Sequence, residues 1–190
     1  MSLSILAPTH LLASDLPLEN ADPRFRKATA NMTMAAMVCE KVLSALPAVE
    51  KNQISFVLGT HFGEVTSTLD FLSGFHETQT PSPILFQNSL HNSTLGFTTI
   101  HLGLTGPALT VSADKATISS ALETAQSLLE VTPYALVCFV DYIPTELEPY
   151  YLARYPFMEK NWNRAFCCAL ARPELIESNK MTVHKFEEVF

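Results

Sequence analysis

The chain has 190 residues, a length that suits one well-packed domain, so we expect residues 1–190 to fold as a single unit. Hydrophobic residues make up 47% of it, charged residues only 16%, and the formal net charge is -7. Because nucleic acids are bound through clustered Lys and Arg, this acidic composition excludes a nucleic-acid partner.

The same composition argues against a membrane span, a metal site and a cofactor. No apolar run reaches the roughly 18 residues of a spanning helix, and the N-terminal residues lack the basic segment of a signal peptide. The four cysteines lie in apolar stretches without a C-x-x-C spacing, which indicates reduced core thiols. The histidines show no metal-ligand spacing with Cys or acidic residues. We therefore expect a cytoplasmic protein.

The first half of the chain predicts two strands and three helices. A strand over residues 3–7 precedes a helix over residues 24–46, with Asp22 as N-cap and Pro23 at the first helical position. A buried strand over 54–58 leads into a helix over 64–75. Pro81 and Pro83 predict extended backbone, and a further helix runs over 93–102 to a left-handed Gly103.

The second half predicts three strands and one helix, namely strands over 108–111, 135–140 and 164–171 and a helix over 117–129. The uninterrupted apolar run at 135–140 is typical of a central strand buried on both faces. Strands alternating with helices predict a layered α/β domain with a parallel or mixed sheet. Residues 144–156, rich in Tyr and Pro, predict a surface segment.

Residues 88–111 carry the most specific pattern in the chain. An Asn-containing turn is followed by a small-residue helix around Gly96, then by Leu102-Gly103-Leu104-Thr105-Gly106-Pro107 and an apolar strand. This order resembles β-ketoacyl synthases. Residues 57–63 are similar to the strand-turn GTGxG segment of that family, and residues 164–171 to its small-residue strand. The resemblance implies a thiolase-like half: a mixed, mostly five-stranded central sheet flanked by helices.

In β-ketoacyl synthases the strand after Gly-Pro leads to a cysteine nucleophile at a helix N-terminus. A gap-free comparison places Lys115 at that position, and a shift of one residue would place Asp114 or Ala116 there. None of the three is a thiol, so the resemblance implies a degenerate elbow. The family's catalytic histidines come from a C-terminal half that has no counterpart in these residues. We expect no independent catalysis.

The resemblance therefore implies a non-catalytic partner subunit in fatty-acid or polyketide-type biosynthesis. Two groups fit: chain-length factors, and the short ketosynthase-like proteins of aryl-polyene systems. The expected partner is an active ketosynthase or a second copy of this chain, and acyl carrier protein would be met only indirectly. The residues implied at the tunnel or interface, for which ordinary packing is an equal alternative, are Phe86, His91, Phe97, Thr98 and Leu109.

The sequence is also compatible with two other functions, an acyl hydrolase or transferase and an acyl-binding module. Ser89 or Ser93 could act with His91 in a small acyl hydrolase or transferase, although turn chemistry explains the same residues. A homodimeric acyl-binding module without chemistry is a further alternative. Lys115 could be a residual base or an ion-pair anchor, or simply an exposed residue at the start of a helix.

Overall fold

The computed structural model describes residues 4–16, 22–158 and 163–185. Five strands form one sheet, and helices cover both of its faces. The strands are β1 (Ile5–Leu12), β2 (Ile54–Gly59), β3 (Ala108–Val111), β4 (Tyr134–Asp141) and β5 (Arg164–Ala171). The helices are α1 (Ala30–Ala45), α2 (Val65–Thr78), α3 (Pro83–Asn88), α4 (Ser93–Leu102), α5 (Thr117–Leu128), α6 (Glu148–Arg154) and α7 (Pro173–Ser178).

The sheet is mixed, with the strand order β1-β5-β4-β2-β3. β2 pairs in parallel with both β3 and β4, whereas β5 pairs antiparallel with β4 and with β1. β4 lies at the centre and is buried along nearly its whole length. The predicted α/β class and the mixed five-stranded sheet are confirmed.

Alternate side chains of the central strands point to opposite faces of the sheet and pack into two separate apolar cores. Leu136 and Cys138 of β4 join the core under α1, and Ala135 and Val137 join the smaller core under α5. Within the sheet, Gly59 of β2 leaves room for the side chain of its register partner on β4, since a Cβ there would lie 2.4 Å from the Phe139 ring. Burial on both faces explains why the central strand reads as a continuous apolar run.

The prediction of one helix over residues 24–46 is wrong at its start. Pro23–Phe25 form a short 3-10 turn in which the Asp22 side chain accepts a hydrogen bond from the Arg24 backbone N–H at 3.0 Å. Lys27 then adopts a left-handed backbone, with φ 69°, and interrupts the helical path. The helix begins after Thr29, whose hydroxyl accepts from the Met32 N–H at 3.1 Å.

The predicted extended backbone is confirmed at Ser82, with φ -87° and ψ 114°, but it ends there because a helix begins at Pro83. Pro83 occupies the first position of α3, where its missing N–H is not needed, and the Ser82 hydroxyl accepts from the Leu85 N–H at 3.4 Å. The surface segment 144–156 contains the helix α6, and β1 extends to Leu12 rather than ending at residue 7. The other predicted strands and helices lie within two or three residues of the observed ones.

Two glycines offer a matched test of the packing. A Cβ on Gly106 would lie 2.2 Å from the Ile54 carbonyl oxygen, whereas a Cβ on Gly96 in α4 would meet nothing within 4 Å. We expect Gly106→Ala to lower the free energy of unfolding by about 1–3 kcal/mol because backbone must move. Gly96→Ala should raise it by about 0.5–1 kcal/mol through helix propensity. Urea unfolding of both variants measures the difference, and equal effects would contradict this packing.

Candidate functional site

The segment that the sequence resemblance places at the nucleophile elbow, here called the elbow, follows β3 at the carboxyl edge of the parallel strands. Residues 114–116 form a 3-10 turn in which Asp114 has a left-handed backbone, with φ 49°. The Thr117 hydroxyl accepts from the Ala113 N–H at 2.9 Å and donates to the Asp114 carbonyl at 2.8 Å. The N-cap of α5 is Ala116, so the Asp114 carboxylate does not cap this helix. The backbone turn is formed without a thiol.

The Lys115 side chain is exposed and makes an aromatic contact rather than an ion pair. Its Nζ lies 5.6 Å from the ring centroid of Phe157. No ion pair among the described residues includes Lys115. Asp114 and Ala116 are exposed as well. The structure therefore gives Lys115 no anchoring carboxylate, and the interpretation as an exposed residue at a helix start fits it better.

A buried carboxylate holds the neighbouring turn. Asp141, the last residue of β4, accepts from the Thr60 hydroxyl at 2.7 Å and from the backbone N–H groups of His61 and Phe62 at 3.0 Å each. The His61 Nδ1 lies 2.8 Å from its Oδ2. Since a carboxylate only accepts, this contact places a proton on Nδ1. Two adjacent N–H groups would bind an anion, and here Asp141 fills that position.

Aromatic side chains pack around this turn. Phe62 meets Tyr151 and Tyr155 edge-on, with ring centroids 4.8 and 5.1 Å apart. Phe157 lies 5.9 Å from the His61 ring. The segment around α6 is therefore folded back onto the elbow region, while Tyr150 points outward and is 74% exposed. Sequence reasoning expected this segment at the surface and did not anticipate its inward-facing rings.

A second buried carboxylate joins three helices close by. Glu64, just before α2, accepts hydrogen bonds from the hydroxyls of Thr29, at 2.9 Å, and Thr94. Burial raises the pKa of the Glu64 carboxyl, and the hydroxyl bonds partly offset this effect. Because Thr29 begins α1 and Thr94 lies in α4, Glu64 fixes the relative positions of these helices. Sequence reasoning missed both Glu64 and Asp141.

His91 and its neighbouring serines do not form a catalytic pair. The exposed His91 ring lies over Gly63, where a Cβ would come within 2.9 Å of Nδ1, and Gly63 has a positive φ of 59°. The Ser89 hydroxyl donates to the Phe86 carbonyl at 2.7 Å, and the Ser93 hydroxyl donates to the Gln87 carbonyl. No hydrogen bond between His91 and either serine occurs in the part of the chain that the structure describes. The geometry gives the hydrolase alternative no support.

Three of the five residues implied at the tunnel or interface reach the surface, namely the exposed His91 described above, Phe86 and Leu109. Phe86 is 53% exposed and packs one side of its ring against Phe71, with centroids 5.6 Å apart. Leu109 is 45% exposed on β3, which lies at one edge of the sheet and pairs with β2. Both side chains are available to a partner.

The other two are committed to contacts within the chain. The Phe97 ring stacks on His101 at 5.9 Å and lies 6.4 Å from Phe25. Thr98 is fully buried, and its hydroxyl has no hydrogen-bond partner. These residues therefore pack inside the chain, and a tunnel wall that uses them would need a partner to change their surroundings.

A groove of about 580 Å³ opens away from the elbow, between α5 and α7. Leu170 and Ile176 contribute apolar surface to it. Arg172 lines it too, with its guanidinium donating to the carbonyls of Leu129 and Glu130 at 2.7 and 3.2 Å. None of the elbow residues lines this groove, so it does not extend the elbow into a binding pocket.

Residues 29–185 match the sequence profile of the beta-ketoacyl synthase N-terminal domain. The chain belongs to this family. No curated protein matches it in sequence. Among the described residues, no helix is long and apolar enough to cross a membrane, and no group of three or more His, Cys, Asp or Glu is arranged to hold a metal ion.

Solved structures show the same fold at low sequence identity. A chain of the complex between the ketosynthase ApeO and its chain length factor ApeC from Xenorhabdus doucetiae superposes with a TM-score of 0.71 at 17% identity, over 90% of this chain and 79% of that one. A β-ketoacyl synthase from Burkholderia phymatum gives a TM-score of 0.70 at 13% identity, over 88% of this chain and 48% of that one. The ishigamide ketosynthase/chain length factor gives 0.64 at 17% identity, over 86% and 52%. The thiolase-like ketosynthase half is confirmed.

Replacing the carboxylate of Asp141 tests its role in the turn. Asp141→Asn would point an amide N–H₂ at groups that are themselves donors, and we expect a loss of about 3 kcal/mol in the free energy of unfolding. Glu146→Gln, at an exposed acidic residue of the following segment, is the matched control and should change little. Denaturant unfolding compares the two, and a neutral Asp141→Asn would rule out the turn's dependence on this carboxylate.

The buried Glu64 makes the folded state sensitive to pH. Its folded pKa lies above the unfolded value, so its favourable contribution is complete at acidic pH and is lost as pH rises through the folded pKa. Glu64→Gln keeps an acceptor for both threonine hydroxyls and cannot ionise. We expect the variant to be more stable than the wild type at neutral pH, with the difference disappearing near pH 4. Urea unfolding across this range measures the difference, and a difference that stays constant with pH would show that folding does not shift the pKa of Glu64.

Proposed function

We propose that this chain is a non-catalytic, ketosynthase-like subunit of the chain-length-factor type, which pairs with an active β-ketoacyl synthase in fatty-acid or polyketide-type biosynthesis. The observation that supports the proposal is the absence of a cysteine from residues 110–117, the segment after β3 where the resemblance implies the family's nucleophile elbow. Condensation requires a thiolate to hold the acyl chain, and Asp114, Lys115 and Ala116 cannot supply one.

No other cysteine is placed to substitute for the missing thiol. Burial raises the pKa of the Cys39, Cys167 and Cys168 thiols, which disfavours the reactive thiolate. Burial also opposes ionisation of Cys138, but hydrogen bonds with Cys167 and Cys39 lower its pKa to about 5; this sulfur is excluded as a nucleophile by its complete burial. Each cysteine is fully inaccessible to an acyl substrate; they are Cys39, Cys138, Cys167 and Cys168. Free thiols of this kind also suit the reducing cytoplasm, which we propose as the location.

The exposed apolar surface supports a partner. Phe86 and Leu109 are about half exposed, and β3 presents an uncharged edge of Ala, Leu, Thr and Val. An exposed edge strand without charged residues is unusual in a protein that works alone. Two of the structural neighbours are a ketosynthase with its chain length factor. Acyl carrier protein would then deliver its chain to the active partner rather than to this subunit.

Co-expression with full-length β-ketoacyl synthases from the same organism tests the pairing. We expect one of them to co-purify in a fixed ratio and to yield condensation product in the presence of acyl carrier protein. Failure of every such synthase to bind the chain would rule out the proposed function.

Restoring the thiol tests the absence of catalysis directly. In Lys115→Cys the sulfur would return to the elbow, but condensation also requires imidazole donors that stabilise the enolate, and residues 1–190 contain no match to the family's catalytic histidines. We expect the isolated variant to show no condensation. A thiol probe confirms that the new cysteine is accessible, with the wild type as the unreactive control. Measurable ketosynthase activity would contradict the proposal.

A further inference from the structure

The pair of helices α2 and α3, here called the apolar hairpin, is little buried against the rest of the molecule. Ser67 is the single buried residue of α2, and α3 has none. The two helices hold each other through the Phe71–Phe86 ring contact and through Leu85, which lies against Gly74. Because so little of the hairpin is buried, the core does not explain its apolar composition.

The exposed surface of the hairpin is strongly apolar. Six large side chains on it or at its end are between 39% and 54% exposed: Leu69, Leu72, Phe75, Ile84, Phe86 and Leu90. Scattered apolar residues are normal on a protein surface, but a concentration on one projecting element marks an interaction site. The hairpin therefore requires a partner surface.

The formal charges in the stretch of sequence that contains the hairpin all have one sign. Residues 52–114 contain no Lys or Arg, although the whole chain has 12. The four acidic residues of this stretch are Glu64, Asp70, Glu77 and Asp114, which give it a formal charge of -4. Asp70 and Glu77 are exposed and seven residues apart, so they lie on one side of α2, two turns from each other. The hairpin thus combines apolar surface with an acidic flank and has no positive charge of its own.

We propose that the apolar hairpin docks on a different protein whose matching surface is apolar and flanked by Lys or Arg, and that it does not pair with a second copy of this chain. A second copy would bring the same carboxylates to the same interface, because a two-fold contact uses identical patches. Like charges oppose that contact, whereas a basic flank attracts the hairpin and speeds its association. The inference rests on the proposed function and adds how the ketosynthase partner is recognised.

Charge reversal on the hairpin tests this. We expect the double variant Asp70→Lys/Glu77→Lys to bind the co-purifying ketosynthase about tenfold more weakly at physiological salt, mainly through slower association. The loss should shrink at about 1 M salt, where charges are screened within roughly 3 Å. Surface plasmon resonance gives both rates, and thermal unfolding verifies that the variant is folded.

The matched control is Glu123→Lys/Glu130→Lys, which reverses two exposed acids with the same spacing of seven on and just after α5. It should leave ketosynthase binding unchanged. An unchanged affinity of the hairpin variant, or an equal loss in the control, would overturn the inference while leaving the proposed pairing intact. A stable dimer of the isolated wild type in sedimentation velocity, abolished by the hairpin reversal, would also overturn it. If the wild type binds no ketosynthase, the proposed function itself fails.

Discussion

The carboxylate of Asp141 is the interaction on which the carboxyl edge of this sheet depends. It ties the end of β4 to the turn after β2 through one hydroxyl, two backbone N–H groups and an imidazole. An anion that is only 4% exposed is tolerated because charge-assisted hydrogen bonds replace its hydration. The direction in which the chain leaves β2, and therefore the start of α2, follows from this contact.

The next residues along the chain show how that turn organises the rest of the site. Gly63 uses a left-handed backbone and leaves room for the His91 ring, and Asn31 of α1 donates to its carbonyl at 2.7 Å. Glu64 then bonds to α1 and α4. Polar contacts therefore set the geometry around the elbow, while the apolar cores on the two faces of the sheet supply most of the stability. A family member can lose its nucleophile and keep this arrangement, because none of these contacts involves the elbow side chain.

The sequence predicted most of the sheet because each central strand is a local signal. Residues 54–58, 135–140 and 164–171 are continuous apolar runs, and burial on both faces makes such runs necessary. The helix starts were harder to predict. Lys27 has a left-handed backbone and Pro83 begins a helix, and neither conformation follows from the residue types around it. The polar contacts could not be predicted, since Asp141 bonds to residues about 80 positions away and Glu64 to residues 30 and 35 positions away. The one available signal was an acidic residue at the end of an apolar strand, which sequence reasoning left unused.

Some features of the sequence are required for folding, and others are explained only by the proposed association with a partner. Folding needs β2, α4 and β3 to be apolar, because they pack against the sheet and the helices on it. It does not need Leu72, Ile84 or Phe86 to be apolar, since each is more than half exposed. Folding also does not explain why residues 52–114, a stretch of 63 residues, contain no Lys or Arg. Features that the folded chain does not require, and that lower its solubility, persist where another surface covers them. The uncharged strand β3 lies at an edge of the sheet, and the proposed association would account for the side of it that folding leaves exposed.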